Sequence, residues 1–166
     1  MPADDELWER LGALEARVRA TEDELAILRL ISSYGPVVDS NSGDAVAALW
    51  AEGGNYELEG YHFTRDTMHT TVETDLHARY VRAGSAHVMS LPQVTLAGDR
   101  AVAINYSRVF VHRDGQWIVD RAAANRWDLE RTPEGWRVLR RVNRLLDGGA
   151  AARLLLAGEI PPPGQA

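Results

Sequence analysis

The chain has 166 residues, of which 45% are hydrophobic and 25% are charged, a composition typical of one globular domain. Its formal net charge of -6 argues against binding to nucleic-acid phosphates, and it contains no apolar run of about 18 residues that could span a membrane. The absence of cysteine excludes disulfides and thiolate metal sites, and the acidic N-terminus lacks the apolar core of a signal peptide. We therefore expect a cytoplasmic protein.

A long helix is predicted over residues 5–34, where a heptad-like seam recurs at alternating spacings of four and three. The seam consists of Leu7, Leu11, Leu14, Val18, Thr21, Leu25 and Leu28. Two interpretations are open: an amphipathic helix packed on its own sheet, or a helix whose residues 7–18 project and contact a partner subunit. Gly35-Pro36 predicts a kink or break, because proline lacks a backbone donor and disfavours helix in the preceding residue.

A turn and a short helix are predicted next. Residues 40–43 have turn chemistry, and Asp44 is a suitable N-cap for a helix over residues 45–50. The pair Gly53-Gly54 is expected to end this helix.

A strand and a second helix follow in the predicted order. Residues 55–59 alternate between polar and apolar side chains, which is typical of a half-buried strand. Its apolar face contains Tyr56 and Leu58. Residues 65–82 have apolar side chains at helical spacing, namely Met68, Val72, Leu76 and Tyr80. We interpret His69 and His77 on this helix as surface histidines, because they lie among polar residues.

The remaining chain predicts an antiparallel meander, so the fold class is α+β. The predicted strands are residues 87–96, 101–111, 117–130 and 136–146. The turns between them are Gly98-Asp99, Arg113-Asp114-Gly115 and residues 132–135. Pro92 indicates an edge strand or a bulge. A short helix is predicted over residues 150–157, followed by a loose or draped tail that begins at the prolines 161–163.

Several polar residues lie where the strand pattern predicts an inward face. One predicted face contains His87, Met89 and Leu91, and another contains Arg121, Ala123, Asn125, Trp127 and Leu129. Because a buried polar group costs free energy unless it is hydrogen-bonded, His87 and Asn125 are either satisfied structural groups or site residues. Asp39, which follows Val37-Val38, is either a turn-forming aspartate or a site residue.

No sequence motif points to a bound cofactor. The chain has no His-Glu-x-x-His metal motif, no glycine-rich phosphate loop and no Gly-x-Ser-x-Gly nucleophile elbow. The residues therefore leave two alternatives, which are acid–base chemistry without a cofactor and no chemistry at all.

The sequence resembles the SnoaL-like branch of the nuclear transport factor two superfamily over about residues 22–146. The resemblance depends on five tracts, at residues 31–39, 47–52, 85–87, 98–103 and 124–138. It implies an α+β cone, in which a curved antiparallel or mixed sheet wraps round N-terminal helices. Residues 1–21 would then be a helical extension, and residues 147–166 a short helix with a proline-rich tail. Relatives form trimers or dimers, so the resemblance also implies a homo-oligomer.

Three enzyme groups of this superfamily are similar in their polar positions: scytalone dehydratase, bile-acid 7α-dehydratases and hexachlorocyclohexane dehydrochlorinases. Their catalytic aspartate and histidine fall on Asp39 and His87. The resemblance also places a catalytic tyrosine on Tyr34 and a substrate-binding asparagine on Asn125. A second tyrosine of these dehydratases falls near Leu58, with Tyr56 two residues earlier on the same face. The nearest candidate for a second sheet histidine is His112.

The resemblance implies a cofactor-independent, dehydratase-like lyase that acts on a hydrophobic polycyclic or aromatic carbonyl compound by β-elimination. An isomerase or cyclase of a polyketide or steroid-like ketone would use the same residues, and a ligand-binding or scaffold domain would use none of them catalytically. The side chains expected either to line the pocket or to fill the core are Trp50, Tyr56, Leu58, Met89, Tyr106, Phe110 and Trp127.

Overall fold

The computed structural model describes residues 2–58 and 60–159, with side chains from residue 5 onward. Its α-helices are α1 (Pro2–Asp39), α2 (Gly43–Ala47), α3 (Asp75–Ala83) and α4 (Ala150–Leu156), and a 3-10 helix spans Met68–Glu73. Its strands are β1 (Trp50–Leu58), β2 (Tyr61–Thr64), β3 (Ser85–Met89), β4 (Gln93–Ala97), β5 (Arg100–Arg113), β6 (Gln116–Thr132) and β7 (Gly135–Leu145). Glu59, predicted to end a strand, and the prolines 161–163 of the predicted tail lie outside the described residues.

The described strands form one mixed sheet in the order β2-β1-β7-β6-β5, and both β3 and β4 pair with the other edge of β5. Neighbouring strands are antiparallel except for β1 and β7, which are parallel. Register shifts interrupt the β1–β7, β5–β6 and β6–β7 ladders, and such irregularities bend and twist a sheet. The predicted α+β fold with a curved mixed sheet and N-terminal helices is confirmed.

Helix α1 continues through Gly35-Pro36 to Asp39, so the predicted break is wrong. Side chains on both sides of the proline are buried at helical spacing, namely Ile27, Ile31, Tyr34 and Val38. Burying one such side chain stabilises the fold by about 1.5–3 kcal/mol, whereas a proline inside a helix costs about 3 kcal/mol. Because several of these side chains pack on the sheet together, their burial outweighs the penalty at Pro36.

The first part of α1 projects from the sheet, since the side chains of residues 5–22 are all exposed. The large apolar ones are 40% to 68% exposed and include Leu7, Trp8, Leu11, Leu14 and Val18. Residues 7–18 therefore do not pack on the protein's own sheet, and their contact with a partner subunit stays a prediction. No described helix, α1 included, is apolar enough over a sufficient length to cross a membrane.

Asp23 is anchored where α1 meets the sheet. Its carboxylate accepts hydrogen bonds from Arg131 at 2.7 and 2.6 Å and from the indole nitrogen of Trp136 at 3.1 Å. The Arg131 guanidinium also lies 4.6 Å from the centre of the Trp136 ring. The Arg131 hydrogen bonds hold the pKa of Asp23 below its usual value, although burial opposes this effect.

The segment after α1 differs from the prediction at its caps. Ser42, rather than Asp44, is the N-cap of α2, and its hydroxyl accepts a hydrogen bond from the backbone of Ala45. The helix ends at Ala47 instead of Trp50, because Trp50 pairs with Val138 of β7 and starts β1. The glycines at 53 and 54 lie inside this strand rather than at a helix end.

The helix predicted over residues 65–82 is two helices. The chain is extended at Thr74, which separates the 3-10 helix from α3 and caps α3 by accepting a hydrogen bond from the backbone of His77. The sequence pattern predicted no strand at β2, which pairs with β1. The strand predicted over residues 87–96 is divided into β3 and β4 around Pro92, whereas the predicted strands β5, β6 and β7 and helix α4 are confirmed.

Replacing Asp23 with Asn should lower the free energy of unfolding at pH 7 by about 1–3 kcal/mol, because a charge-assisted anchor of α1 is lost. Since the folded pKa of Asp23 is lowered, its contribution is complete above the unfolded value of about 3.9 and is lost as the pH falls through the folded pKa. Urea unfolding of both proteins from pH 7 to pH 3 tests this. The difference should be constant at neutral pH and shrink below about pH 4. The exposed Glu15→Gln change is the control, and a pH-independent difference would contradict the ion pair.

Replacing Leu11 and Leu14 together with Glu should lower the molar mass measured by light scattering, because both side chains are exposed on the projecting part of α1. The fold should be unaffected, since neither side chain packs on the sheet. An unchanged mass, or a monomeric parent protein, would argue against a subunit contact at residues 7–18.

Candidate functional site

A cavity of about 80 Å³ lies between the end of α1, the 3-10 helix with α3, and the inner face of the sheet, and it opens to solvent. Its aromatic and aliphatic walls include Tyr34, Val38, Tyr56, Leu58, Phe63, Leu76, Tyr80, Met89 and Val109. Its polar lining includes His77, His87, Ser107, Arg121, Arg141 and Asn143. A concave apolar site with a few convergent polar groups is the usual form of a small-molecule site.

His87 on β3 lines the cavity and is held by Asp39 at the end of α1. The Asp39 Oδ2 atom accepts a hydrogen bond from the His87 backbone at 2.7 Å, and its Oδ1 atom lies 2.6 Å from His87 Nδ1. The two side chains are only 24% and 13% exposed, respectively. A carboxylate beside Nδ1 favours the tautomer that carries its proton there, which leaves Nε2 as the basic nitrogen.

Gly35 allows α1 to lie directly on the strand that carries His87. A Cβ atom at Gly35 would overlap the backbone carbonyl oxygen of His87. At Gly12, on the projecting part of the same helix, a Cβ atom would meet nothing within 4 Å. The close approach at Gly35 therefore brings Asp39, one helical turn later, to the backbone and ring of His87.

Arg141 on β7 is 2% exposed and stacks among aromatic rings. Its guanidinium carbon lies 4.1, 4.2 and 4.5 Å from the ring centres of Tyr34, Trp127 and Tyr56. Such cation–π contacts, worth about 0.5–2 kcal/mol each, offset part of the cost of burying the charge. Burial raises the pKa of Tyr56, and Arg141 opposes only part of this rise, so the phenol stays protonated as a hydrogen-bond donor.

An amide network fixes Arg141 at the cavity wall. The Asn125 Oδ1 atom accepts hydrogen bonds from Arg141 Nε and Nη2 at 3.1 and 2.7 Å, and from Asn143 Nδ2 at 2.8 Å. The Asn125 amide nitrogen donates to Ser107 at 2.9 Å, and Arg121 donates to Asn143 Oδ1 at 2.9 Å. Asn125 is fully buried and already engaged at both ends, so it positions Arg141 rather than contacting a ligand.

Two further rings flank His87, with centres 6.2 Å away for His77 and 5.9 Å away for Tyr80. His77 is buried rather than at the surface as predicted, because its α3 face packs on the sheet; His69 is exposed. Burial, followed by the neighbouring His87, lowers the pKa of His77, so this imidazole is neutral at pH 7. The Tyr80 hydroxyl donates to Asp120 at 2.9 Å, and burial together with this bond raises its pKa to about 12.

The structure places five of the predicted site residues around the cavity: Tyr34, Tyr56, Leu58, His87 and Met89. Asp39 lies behind His87, and the core below the cavity contains Trp50 and Trp127.

The predictions for Tyr106 and Phe110 are wrong, because the inward face of β5 consists of the odd-numbered residues. Tyr106 is 42% exposed, and neither it nor Phe110 lines the cavity. His112 is exposed against Trp117, outside the cavity, and Leu91 is also exposed rather than inward-facing.

Sequence reasoning missed Arg141 and Asn143 as cavity residues, although a signal existed. In the antiparallel β6–β7 pair, Trp127 lies opposite Arg141 and Asn125 opposite Asn143, so each pair shares one face of the sheet. Because Asn125 and Trp127 were predicted to face inward on β6, their partners on β7 were also expected to face inward. Within residues 2–58 and 60–159, no three His, Asp or Glu side chains come together in a way that could hold a metal ion.

The family model described as a SnoaL-like domain matches residues 19–142. One similar crystal structure is that of a nuclear transport factor 2-like protein with a cystatin-like fold from Novosphingobium aromaticivorans. The two sequences are 41% identical and the TM-score is 0.85, over 88% of this chain and 96% of that chain. Aln2 from Streptomyces sp. is 17% identical, with a TM-score of 0.66 over 81% and 94% of the two chains. A nuclear transport factor 2-like superfamily protein from Salmonella enterica is 15% identical, with a TM-score of 0.61 over 78% and 99%. No protein with a curated description matches the chain.

Replacing Gly35 with Ala should destabilise the protein by about 1–3 kcal/mol, because the new methyl group has to push β3 away from α1. Gly12→Ala on the same helix is the matched control, and there the higher helix propensity of alanine should stabilise by up to about 1 kcal/mol. Urea unfolding of both variants measures the difference. Equal effects of the two changes would show that α1 does not need Gly35 to approach His87.

Proposed function

The chain belongs to the SnoaL-like domain family, and on that premise we propose that its cavity is the active site of a cofactor-independent, dehydratase-like lyase. The observation that carries the proposal is the 2.6 Å contact between Asp39 and a His87 that lines the same cavity as Tyr34 and Tyr56. A base with a fixed tautomer next to phenolic donors suits proton abstraction beside a carbonyl group.

In this mechanism His87 Nε2 removes a proton from the carbon α to the substrate carbonyl. Asp39 keeps the other ring proton on Nδ1 and stabilises the imidazolium that forms. His77 is neutral, so it does not add a second positive charge beside the imidazolium.

The carbonyl oxygen gains negative charge as the proton leaves. Tyr34 and Tyr56 lie on the cavity wall, and a phenol that donates a hydrogen bond to this oxygen stabilises the enolate. The enolate then expels the β-hydroxyl group, which takes the proton from the His87 imidazolium and departs as water. The products are an enone and water, and the base is regenerated without a cofactor.

The size of the cavity favours a small substrate. The enclosed part, about 80 Å³, is smaller than the roughly 150 Å³ cavity that holds one benzene ring, so a larger ligand extends further through the opening. We therefore favour a monocyclic or aromatic carbonyl compound over the polycyclic compounds that the resemblance implies.

Two alternatives use the same cavity. An isomerase or cyclase would share the first proton transfer and differ only in what the enolate does next. A non-catalytic carrier would bind the ligand in this cavity without turnover, whereas Trp50 and Trp127, which fill the core below it, favour a scaffold. Exchange of substrate α-protons with D2O separates both enzyme classes from the carrier.

Replacing Asp39 with Asn should abolish catalysis through the tautomer of His87. In the variant, the Asn oxygen would accept the hydrogen bond from the His87 backbone, so the amide NH2 group would face Nδ1. Nδ1 would then have to accept a hydrogen bond and could not carry the ring proton. Nε2 would then carry the proton and could not act as the base. Nitrogen NMR of the labelled histidine should show the proton on Nδ1 in the parent and on Nε2 in the variant. Dehydration of 3-hydroxycyclohexanone, or of its ring-carboxylated analogue, should fall by at least roughly 100-fold.

His87→Ala should lose the same activity, and both variants should remain within about 2 kcal/mol of the parent in stability. Asp44→Asn, at an exposed position of α2, is the control and should behave as the parent. Full activity in either site variant would exclude the pair as catalytic. A parent protein that neither dehydrates these ketones nor exchanges their α-protons would favour the carrier.

A further inference from the structure

Most arginines of the sheet are paired with carboxylates. Ion pairs of 2.6 to 2.9 Å connect Arg131 to Asp23, Arg140 to Glu57 and Arg126 to Asp128. Four sheet arginines pair with no Asp or Glu of the described residues, namely Arg108, Arg121, Arg137 and Arg141. Of these four, Arg121 and Arg141 line the cavity.

Arg141 is an incompletely satisfied cation. Two of its nitrogen atoms share one acceptor, Asn125 Oδ1, and its Nη1 atom is buried without a hydrogen-bond partner among the described residues. A guanidinium has five N–H donors and no acceptor, and the surrounding aromatic faces only partly replace the water it has lost. A buried charge without a counter-ion costs free energy, so this position is complementary to an anion.

Arg121 brings a second positive charge to the same part of the cavity. It donates to Asn143, and Asn143 donates to the Asn125 oxygen that holds Arg141, so two amides connect the guanidinium groups. No Asp or Glu of the described residues lines the cavity, and the two carboxylates that hydrogen-bond to lining residues, Asp39 and Asp120, are engaged by His87 and Tyr80. The lining therefore has an excess of donors and of positive charge.

We propose that the cavity binds its ligand through a carboxylate group, with Arg141 and Arg121 as the anion-binding residues. A carboxylate is planar and offers two oxygen atoms, which match the fork of N–H donors on a guanidinium. The ring of the ligand then contacts Tyr34 and Tyr56. The inference rests on the proposed function in one respect, because it takes this cavity as the substrate site and makes the substrate a cyclic or aromatic keto acid.

Benzoate and benzamide form a matched pair of probes, because they have nearly the same shape and differ in charge. Titration calorimetry at pH 7 should show benzoate binding roughly tenfold to a hundredfold more tightly than benzamide, as charge-assisted hydrogen bonds predict. Benzoate should also raise the melting temperature of the protein, and equimolar benzamide should not. Arg141→Met, which keeps the unbranched stem between the rings, should bind both probes equally, and Arg121→Gln should lower the preference severalfold.

Arg126→Gln is the control, because Arg126 is on the same strand as Arg121 and pairs with Asp128 outside the cavity. It should keep the preference of the parent. Equal binding of the two probes by the parent, or a parent-level preference in either Arg141→Met or Arg121→Gln, would overturn the assignment. Should circular dichroism show that Arg141→Met does not fold, Arg121→Gln decides alone.

Failure of this inference and failure of the proposed function give different results. Benzoate needs no chemistry to bind, so His87→Ala should keep the preference for benzoate even though it cannot catalyse elimination. A preference for benzoate without any turnover of hydroxy ketones leaves the anion site intact and removes the lyase. Turnover of hydroxy ketones without a preference for benzoate supports the lyase and removes the anion site.

Discussion

Asp39 accepts two hydrogen bonds from a single residue, one from the backbone and one from the ring of His87, and the geometry of the cavity depends on this pair. It fixes the end of the longest helix to an edge strand of the sheet. A carboxylate at the C-terminal end of a helix is disfavoured by the helix dipole, and no basic residue lies in the last turn of α1 to compensate. The two donors of His87 supply that compensation, so helix and strand are held together where the ring of the proposed base is oriented.

The same pair explains why α1 tolerates a proline. A helix that ended at residue 34 would leave Asp39 in a loop, whereas continuation to Asp39 places its carboxylate one turn beyond Gly35. The side chains of Tyr34 and Val38 are buried on the two sides of Pro36, so the hydrophobic contacts and the polar pair favour the same helix length. Gly35 removes the methyl group that would keep α1 away from β3.

The helices, strands and fold class followed largely from the sequence, because hydrophobic period and turn residues act locally. The inward side of β5 could not be predicted in this way. The aromatic side chains of Tyr106 and Phe110 suggested burial, whereas the pleat of the strand places them on the outward side. His77 was missed because its neighbours in sequence are polar, whereas its burial comes from the packing of α3 against β5. Arg141 was missed because a charged residue is rarely buried without a carboxylate. In each case the deciding contact is distant in sequence.

Arg141 also indicates whether the buried polar residues stabilise the fold or serve a ligand site. A buried cation without a counter-ion is poor evidence of a stabilising role, since apolar residues of similar volume often serve a core as well or better. Asn125, Asn143 and three aromatic rings nevertheless hold this guanidinium in one orientation at the cavity wall. Asp39 and His87 form the opposite kind of group, an anion already satisfied by its partner. In the proposed function, the cavity combines a base whose charge is compensated within the protein with a cation whose charge is left for the ligand. We propose that this asymmetry orients a substrate with its anionic end at Arg141.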